Sequence, residues 1–190
     1  MKKSIIYFVF SVFVLSTNAF VNVENTTAKD SLTKSFSKML ESSKAYTLEI
    51  AEAMPEDKYT FKPTDSVRSF GEQMAHIGLS SQFLLNIFIK GEQPSADQEA
   101  IAEMEKTVGA SKAEVITLLN KTFDDMIATL NSMDTESLNE TFEVFFDPEK
   151  PKFTKAEGFQ FLKDHIIHHR GQALVSLRMQ GIKAPAYRLY

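Results

Sequence analysis

The chain has 190 residues, of which 43% are hydrophobic, including 16 phenylalanines, and this is enough material for one sizeable core. Its formal net charge is −4, and an acidic balance argues against nucleic acid as a partner. The absence of cysteine excludes disulfides, a thiol nucleophile of the protein's own and attachment of a lipid to a cysteine.

The first 19 residues have the pattern of a secretory signal peptide. Two lysines precede an apolar run that ends at Leu15, and small residues follow as far as Ala19. The run is short for a membrane span and no later segment resembles one, so we expect cleavage after Ala19 and no stable membrane span. We therefore predict a signal peptide at 1–19, a helical bundle domain at 28–190, and secretion, most simply to the periplasm.

The first segment with helical periodicity runs from about Asp30 to Ala53. Apolar residues recur in it at every third or fourth position, which is the spacing of one helix face. Asp30 suits the N-cap, and the pair Met54-Pro55 marks the end of the helix. A loop that contains prolines follows up to Arg68.

The second predicted helix begins at Ser69 and runs to about Lys90. Ser69 and Glu72 have the spacing of a capping box, in which each side chain accepts a hydrogen bond from the other residue's backbone. Gly91 suits the left-handed position that closes a helix. The acidic connection at 92–110 is long enough for a short helix.

Two further helices complete the pattern. Capping-box sequences begin them at Ser111 and Thr154, and they run to about Asn131 and Gly181. Between them lies a strand-like patch at 141–146. No repeat or linker separates these segments, so we predict one all-α domain, a four-helix bundle that follows the cleaved signal peptide.

The chain has four histidines, and their positions are the main clue to chemistry. His76 falls on the second predicted helix, and His165, His168 and His169 fall on the fourth. Residues four positions apart share a helix face, so His165 and His169 can bind one ion, and His169 continues the apolar stripe of its helix. Packing the two helices together would bring His76 to this pair. Three histidines would hold a divalent metal and leave a coordination position for water or a substrate.

Less specific interpretations remain for each of these residues. A pair of histidines at this spacing is often only packed or exposed on a helix, and His168 is an alternative to His169 or a fourth ligand that closes the site. Gln172 and Glu72 are candidates to orient the ligand imidazoles, although Glu72 also belongs to the capping box.

Other polar and aromatic residues give weaker signals. Asp164 is expected on a solvated face, and Arg170 either attracts an anionic substrate or pairs with an acid. Several phenylalanines are expected in the core rather than in a substrate site. They include Phe83, Phe145, Phe146 and Phe161.

Two groups of residues resemble the DinB family, which includes the YfiT-like bacillithiol transferases. The first group is typical of that family's last helix and comprises residues 165–172, Arg178 and residues 181–185. The second is typical of the entry to its second helix and comprises residues 54–56, Pro63 and residues 71–77. Together they extend over nearly the whole predicted domain and keep the family's order and spacing.

The resemblance implies a bundle that binds one divalent ion, zinc or nickel, through His76, His165 and His169. It also implies an enzyme that transfers a thiol to an electrophilic small molecule. The residues themselves leave two alternatives open, which are metal-dependent hydrolysis of a small amide or ester and non-catalytic binding of a metal or ligand. A homodimer is compatible with the sequence, and no catalytic residue beyond the metal ligands is assigned.

Overall fold

The structure is a computed structural model, and it describes residues 33–93 and 98–188. The signal peptide predicted at 1–19 lies outside the described residues. The chain divides into two compact units, Met1–Phe36 and Ser37–Tyr190. Of the first unit, the structure describes only residues 33–36, which are helical.

Helices make up most of the described chain. The first, α1, spans 33–53 of the described residues, and the others follow in chain order with two short strands. These elements are α2 (Phe70–Leu84), α3 (Gln98–Gly109), α4 (Lys112–Ser132), α5 (Thr135–Asn139), β1 (Thr141–Glu143), β2 (Lys152–Thr154) and α6 (Lys155–Met179).

The four long helices α1, α2, α4 and α6 form the bundle. Helix α2 packs against both α4 and α6. Helix α1 contacts both α4 and α6: Lys44 binds Asp124 of α4 at 2.6 Å, and Arg170 of α6 donates to the Ser43 hydroxyl at 3.0 Å. The structure therefore confirms the helical bundle that the periodicity predicts. Its core side chains include Leu40, Ile50, Met74, Ile77, Leu119, Phe123, Phe159, Leu162 and Ile166.

Most of the predicted signals at the helix ends that fall in the described residues have their expected geometry, while the predicted N-cap Asp30 lies outside them. At the start of α4 only half of the predicted box forms, because the Ser111 side chain accepts from Glu114 N–H without the reciprocal bond. Ser69 and Glu72 form a complete capping box at the start of α2, and Thr154 forms another with Glu157 at the start of α6. Gly91 and Gly181 have φ angles of 74° and 72°, the left-handed conformation that glycine adopts without steric cost. Helix boundaries were thus readable from local chemistry.

Two connections differ from the sequence-based expectation. Helix α2 does not continue as a regular α-helix to Lys90, because residues Leu85–Ile89 form a π-helical turn in which Lys90 N–H donates to the Leu85 carbonyl at 3.0 Å. The strand-like patch is a strand only at Thr141–Glu143, where it pairs antiparallel with Lys152–Thr154. That pairing depends on a reversal of the chain that no periodicity reveals.

The prediction that the phenylalanines belong to the core is wrong for three of them. Phe145, Phe146 and Phe161 are 43%, 56% and 41% exposed. They belong to an aromatic cluster beside β1, in which Phe88 is the buried member. Phe83 is half-buried. Among the helices that the structure describes, none is both long and apolar enough to cross a membrane.

Helix α3 is held against α2 by a close contact between two glycines. A Cβ atom at Gly71 would lie 1.8 Å from the carbonyl oxygen of Gly109, which is the last residue of α3. A side chain at Gly109 would in turn lie 2.5 Å from the backbone nitrogen of Glu72. Because α3 carries a residue that contacts His76, this approach of two backbones sets the geometry of the histidine site described below.

We expect Gly71→Ala to destabilise the protein by about 3 kcal/mol, since the new methyl group would push α3 away from α2. Gly171→Ala is the matched control, because a Cβ there meets nothing within 4 Å and alanine favours the helix. Urea unfolding of the two variants tests the contact. Equal stability of both variants would show that the contact between Gly71 and Gly109 is not tight.

Candidate metal centre

Three histidines from two helices converge at one point of the bundle. His76 lies on α2, and His165 and His169 lie one turn apart on α6. One ring nitrogen from each of the three lies within 4.8 Å of the others. The convergence predicted from the sequence is therefore present, because buried apolar neighbours such as Ile77 and Ile166 turn the same faces of the two helices towards each other.

The spacing of two of the three ring nitrogens fits a shared metal ion, and the nitrogen of His165 lies within 4.8 Å of both. Zinc–nitrogen bonds of about 2.0–2.1 Å in a tetrahedral site place two ligand nitrogens about 3.3 Å apart. In the structure His76 Nε2 lies 3.1 Å from His169 Nε2. Neutral imidazole nitrogens are also the donor type that zinc and nickel accept. The residues present therefore fit a divalent ion that has three protein ligands.

Glu105 of α3 orients the ring of His76. The Nδ1–H group of His76 donates to Glu105 Oε1 at 2.6 Å, and Arg68 Nε donates to the other carboxylate oxygen at 2.7 Å. This hydrogen bond leaves the lone pair of His76 on Nε2, which faces the other two histidines. Burial raises the pKa of Glu105, but the hydrogen bonds from His76 and Arg68 outweigh it and leave the pKa below its usual value.

Gln73 of α2 contacts the ring of His169. Its side-chain nitrogen lies 2.6 Å from His169 Nδ1, so this amide donates to the ring and the ring proton lies on Nε2. The Nε2–H group of His169 then donates to His76 Nε2. To free His169 Nε2 for a metal, the ring proton must lie on Nδ1, and the Gln73 amide must rotate so that its oxygen accepts from this Nδ1–H. The rotation exchanges two atoms of similar size, and it gives up the long contact of 3.4 Å between the Gln73 amide nitrogen and the His169 carbonyl oxygen.

His165 is held less tightly than the other two histidines. Its Nδ1 lies 3.5 Å from the hydroxyl of Ser80, which donates to the backbone carbonyl of His76. The ring of Phe161 stacks on it with centroids 6.3 Å apart and an interplanar angle of 22°. The aromatic contact and the long hydrogen bond together define where this ring lies.

Burial keeps two of the three imidazoles neutral. Removal from water, with a further contribution from His76, lowers the pKa of His165 to about 4 and that of His169 to about 3. Their lone pairs are therefore available at neutral pH. Protonation does not compete with a metal at these two residues until the solution is strongly acidic.

The residues predicted to orient the ligands do not do so. Gln172 contacts His168 instead, with 2.8 Å between the Gln172 amide nitrogen and His168 Nε2, and both residues are exposed. Glu72 is occupied by the capping box and by Lys62 at 3.1 Å. His168 is not among the three converging histidines, although its ring centroid lies 4.8 Å from that of His169.

Arg170 and Asp164 lie away from the cluster of ring nitrogens. Arg170 is buried, donates to the Ser43 and Thr47 hydroxyls of α1, and lies over the ring of Tyr46. It thus packs α6 on α1 rather than facing a substrate. Asp164 is exposed, as the sequence predicted.

A cavity of about 640 Å³ opens beside the histidines. His76 and His165 form part of its wall, and most of the remaining wall is apolar. Its volume lies within the range of about 300–1,000 Å³ that is usual for small-molecule sites. A metal on the three histidines would therefore have room for a guest next to it.

The fold and the site together define a class of protein: a helical bundle that carries three clustered histidines beside a cavity. The sequence profile of the DinB superfamily matches residues 39–173, and the chain belongs to this superfamily. The uncharacterized protein YjoA of Bacillus subtilis is 26% identical over 137 residues, which are 71% of this chain and 82% of YjoA.

Solved structures with the same fold agree with this assignment. The crystal structure of YjoA, a DinB-like protein, has a TM-score of 0.61 at 21% identity and covers 82% of this chain and 99% of its own. YfiT of Bacillus subtilis, described as a probable metal-dependent hydrolase with an unusual four-helix bundle topology, has a TM-score of 0.62 at 18% identity, with 80% and 89% covered. A mycothiol-dependent maleylpyruvate isomerase has a TM-score of 0.56 at 8% identity, with 73% and 59% covered.

Glu105→Ala is expected to weaken metal binding by about tenfold or more, because His76 loses the acceptor that fixes its ring and tautomer. Glu103→Ala on the same helix is the matched control, since that side chain is 72% exposed and its one ion pair with a described residue is with Lys106. Competition titration of zinc measures both variants. Equal affinities would show that Glu105 has no part in the site.

The metal-free protein is expected to lose stability as the pH falls below about 6.5, which is the pKa of histidine in an unfolded chain. Because the folded-state pKa values of His165 and His169 are lower, the unfolded chain takes up protons first and acid favours unfolding. The free energy of unfolding should fall by at most about 4 kcal/mol between pH 7 and pH 5, about 2 kcal/mol for each of the two histidines. Urea unfolding across this range measures it. The double variant His165→Gln and His169→Gln should show a smaller loss, and an equal loss would contradict this explanation.

Proposed function

We propose that this chain is a metal-dependent enzyme that binds one divalent ion, zinc or nickel, through His76, His165 and His169. The observation that carries the proposal is the convergence of the three ring nitrogens within 4.8 Å, beside a mainly apolar cavity whose wall includes His76 and His165. A structural zinc site normally has four protein ligands. Within the part of the chain that the structure describes, the cluster contains three, which leaves a position open for chemistry.

The residues of the site have two roles, which are binding of the ion and orientation of the ligand rings. His76, His165 and His169 would hold the ion, while Glu105 and Gln73 hold two of the rings in place. A divalent ion supplies Lewis-acid chemistry, which makes a water or thiol nucleophile available near neutral pH. The cavity positions a small-molecule substrate beside it and limits the access of water.

Transfer of a thiol to an electrophile is the reaction we favour. No Asp or Glu is among the described residues that line the cavity, so a carboxylate general base is not at hand for the attack of water. A thiol needs less help, because coordination to a metal is sufficient to deprotonate it. The similarity in fold to a mycothiol-dependent enzyme is compatible with this choice.

Hydrolysis of a small amide or ester is the second candidate. The name of YfiT, a probable metal-dependent hydrolase of the same fold, favours it. Non-catalytic binding would be favoured by a fourth protein ligand that closes the site, for which His168 is the nearest candidate in the sequence. Its exposed ring and its contact with Gln172 offer no support for that role.

The proposal also includes export to the periplasm, on the strength of the pattern at 1–19.

Elemental analysis is expected to find one divalent ion per chain in the purified protein and in His168→Ala. His169→Ala should lower the affinity for zinc by more than about 100-fold, which exceeds the usual effect of a residue that only contacts a ligand. Circular dichroism would verify that the helices persist. Equal metal content in His168→Ala and His169→Ala would refute the proposed ligand set.

A turnover screen of the zinc-loaded and nickel-loaded protein separates the two reactions. Thiol transfer predicts consumption of an electrophile only when a low-molecular-weight thiol is present, whereas hydrolysis predicts release of a carboxylate without any thiol. Activity that survives both metal removal and His169→Ala would contradict a metal-dependent enzyme of either kind.

A further inference from the structure

The cavity beside the histidines has walls from four helices. Its apolar lining includes Leu79 and Phe83 of α2, Ile101 and Met104 of α3, Leu118 of α4 and Phe161 of α6. Phe146 also lines it and is 56% exposed, while Met104 is 51% exposed. Large exposed apolar side chains around a concavity mark a binding site, because a ligand that covers them removes their surface from water. The body of the ligand is therefore apolar.

Most polar groups of this cavity are already hydrogen-bonded within the protein. Gln82 donates to Asn86 Oδ1 at 3.0 Å and to Asp125 Oδ2 at 2.7 Å. The Ser80 hydroxyl donates to the carbonyl of His76, and the Thr122 hydroxyl donates to the carbonyl of Gly78 at 3.3 Å. Two of these bonds, from Gln82 to Asp125 and from Thr122 to Gly78, join α2 to α4. The groups that donate these bonds have little left to offer a ligand.

Lys121 of α4 is different. It lines the cavity and is exposed, and it forms no hydrogen bond or ion pair with any residue that the structure describes. The two acids that follow it on α4 have other partners, since Asp124 binds Lys44 at 2.6 Å and Asp125 binds Lys90 at 2.7 Å. Lys121 therefore adds a positive charge, which no described residue pairs with, to a mainly apolar cavity.

The position of Lys121 relative to the histidines suggests how a ligand is oriented. Helices α4 and α6 pack on α2, with Lys121 in the α4 wall and His165 in the α6 wall of the same cavity. We propose that the substrate is an apolar carboxylate, whose reacting group meets the metal on the histidines, whose apolar body fills the cavity, and whose carboxylate pairs with Lys121. The metal-binding part of this proposal rests on the proposed function, while the pairing with Lys121 does not.

A carboxylate suits this site better than a phosphate group. One flexible ammonium group can neutralise a single negative charge, whereas phosphate is usually bound by an arginine fork or by several backbone N–H groups. Arg68, whose partner Glu105 also binds His76, is already engaged by that carboxylate at 2.7 Å. The charge at Lys121 therefore selects a monoanion.

Binding of two matched series of compounds tests this inference. The first series consists of linear alkyl hydroxamates that end in a carboxylate or in the uncharged primary amide, and the second has the same chains and ends without the hydroxamate. We expect the carboxylate to bind about fivefold more tightly than the amide of equal length in both series. Isothermal titration calorimetry with the zinc-loaded protein measures these ratios.

Two lysine variants provide the decisive comparison. Lys121→Met should remove the preference for the carboxylate while leaving the affinity for the amide unchanged, which also shows that the cavity is intact. Lys152→Met makes the same change of charge on β2, outside the cavity lining, and should keep the preference. Equal affinities of carboxylate and amide in the unmodified protein, or an equal loss in both variants, would overturn the inference.

The same titrations separate this inference from the proposed function. If the histidines bind no metal, the hydroxamate group will not increase the affinity of any of the alkyl compounds for the protein. The preference for a carboxylate would still depend on Lys121 in the series without hydroxamate. A strong hydroxamate effect without any carboxylate preference would retain the metal site and reject the role of Lys121.

Discussion

The packing of α2 against α6 is the contact on which the candidate site depends. One histidine comes from α2 and two come from α6. Their nitrogens therefore meet only if each helix keeps its position along its axis and its rotation about that axis relative to the other helix. Apolar side chains between the helices fix that relation, and α1 and α4 complete the bundle around it. The close contact of Gly71 with Gly109 then brings α3 near enough to contact His76.

The site is built from buried polar groups that the structure satisfies internally. Glu105 is 5% exposed and binds both Arg68 and His76, and an unpaired carboxylate at this depth would be costly. Gln73 is 4% exposed and contacts His169. Such networks are stable only when each member has a partner, which makes the ring positions specific. Two imidazole nitrogens 3.1 Å apart must share either a proton or a cation, and the same side chains allow both.

The sequence revealed those features that arise from local chemistry. Capping residues such as Ser69, the left-handed glycines and the spacing of His165 and His169 act within a few positions, so the helices and the ligand pair could be predicted. The residues that contact the histidine rings could not be predicted from the sequence. Gln73 acts on His169 across 96 positions, and Glu105 reaches His76 from a connection whose helix was only a possibility. Exposed Phe146 and Phe161 were misassigned because their apolar surface lines a cavity rather than the core.

An X-ray structure of the zinc-loaded protein, with anomalous diffraction data collected at the zinc edge, tests the central claim most directly. The account predicts a single strong anomalous peak about 2.0–2.1 Å from Nε2 of His76, His165 and His169, with at least one coordination position not taken by protein. It also predicts that the Gln73 amide oxygen faces His169 Nδ1. A peak at any other residues, or a histidine cluster in which His76 and His169 still share a proton at saturating zinc, would contradict it.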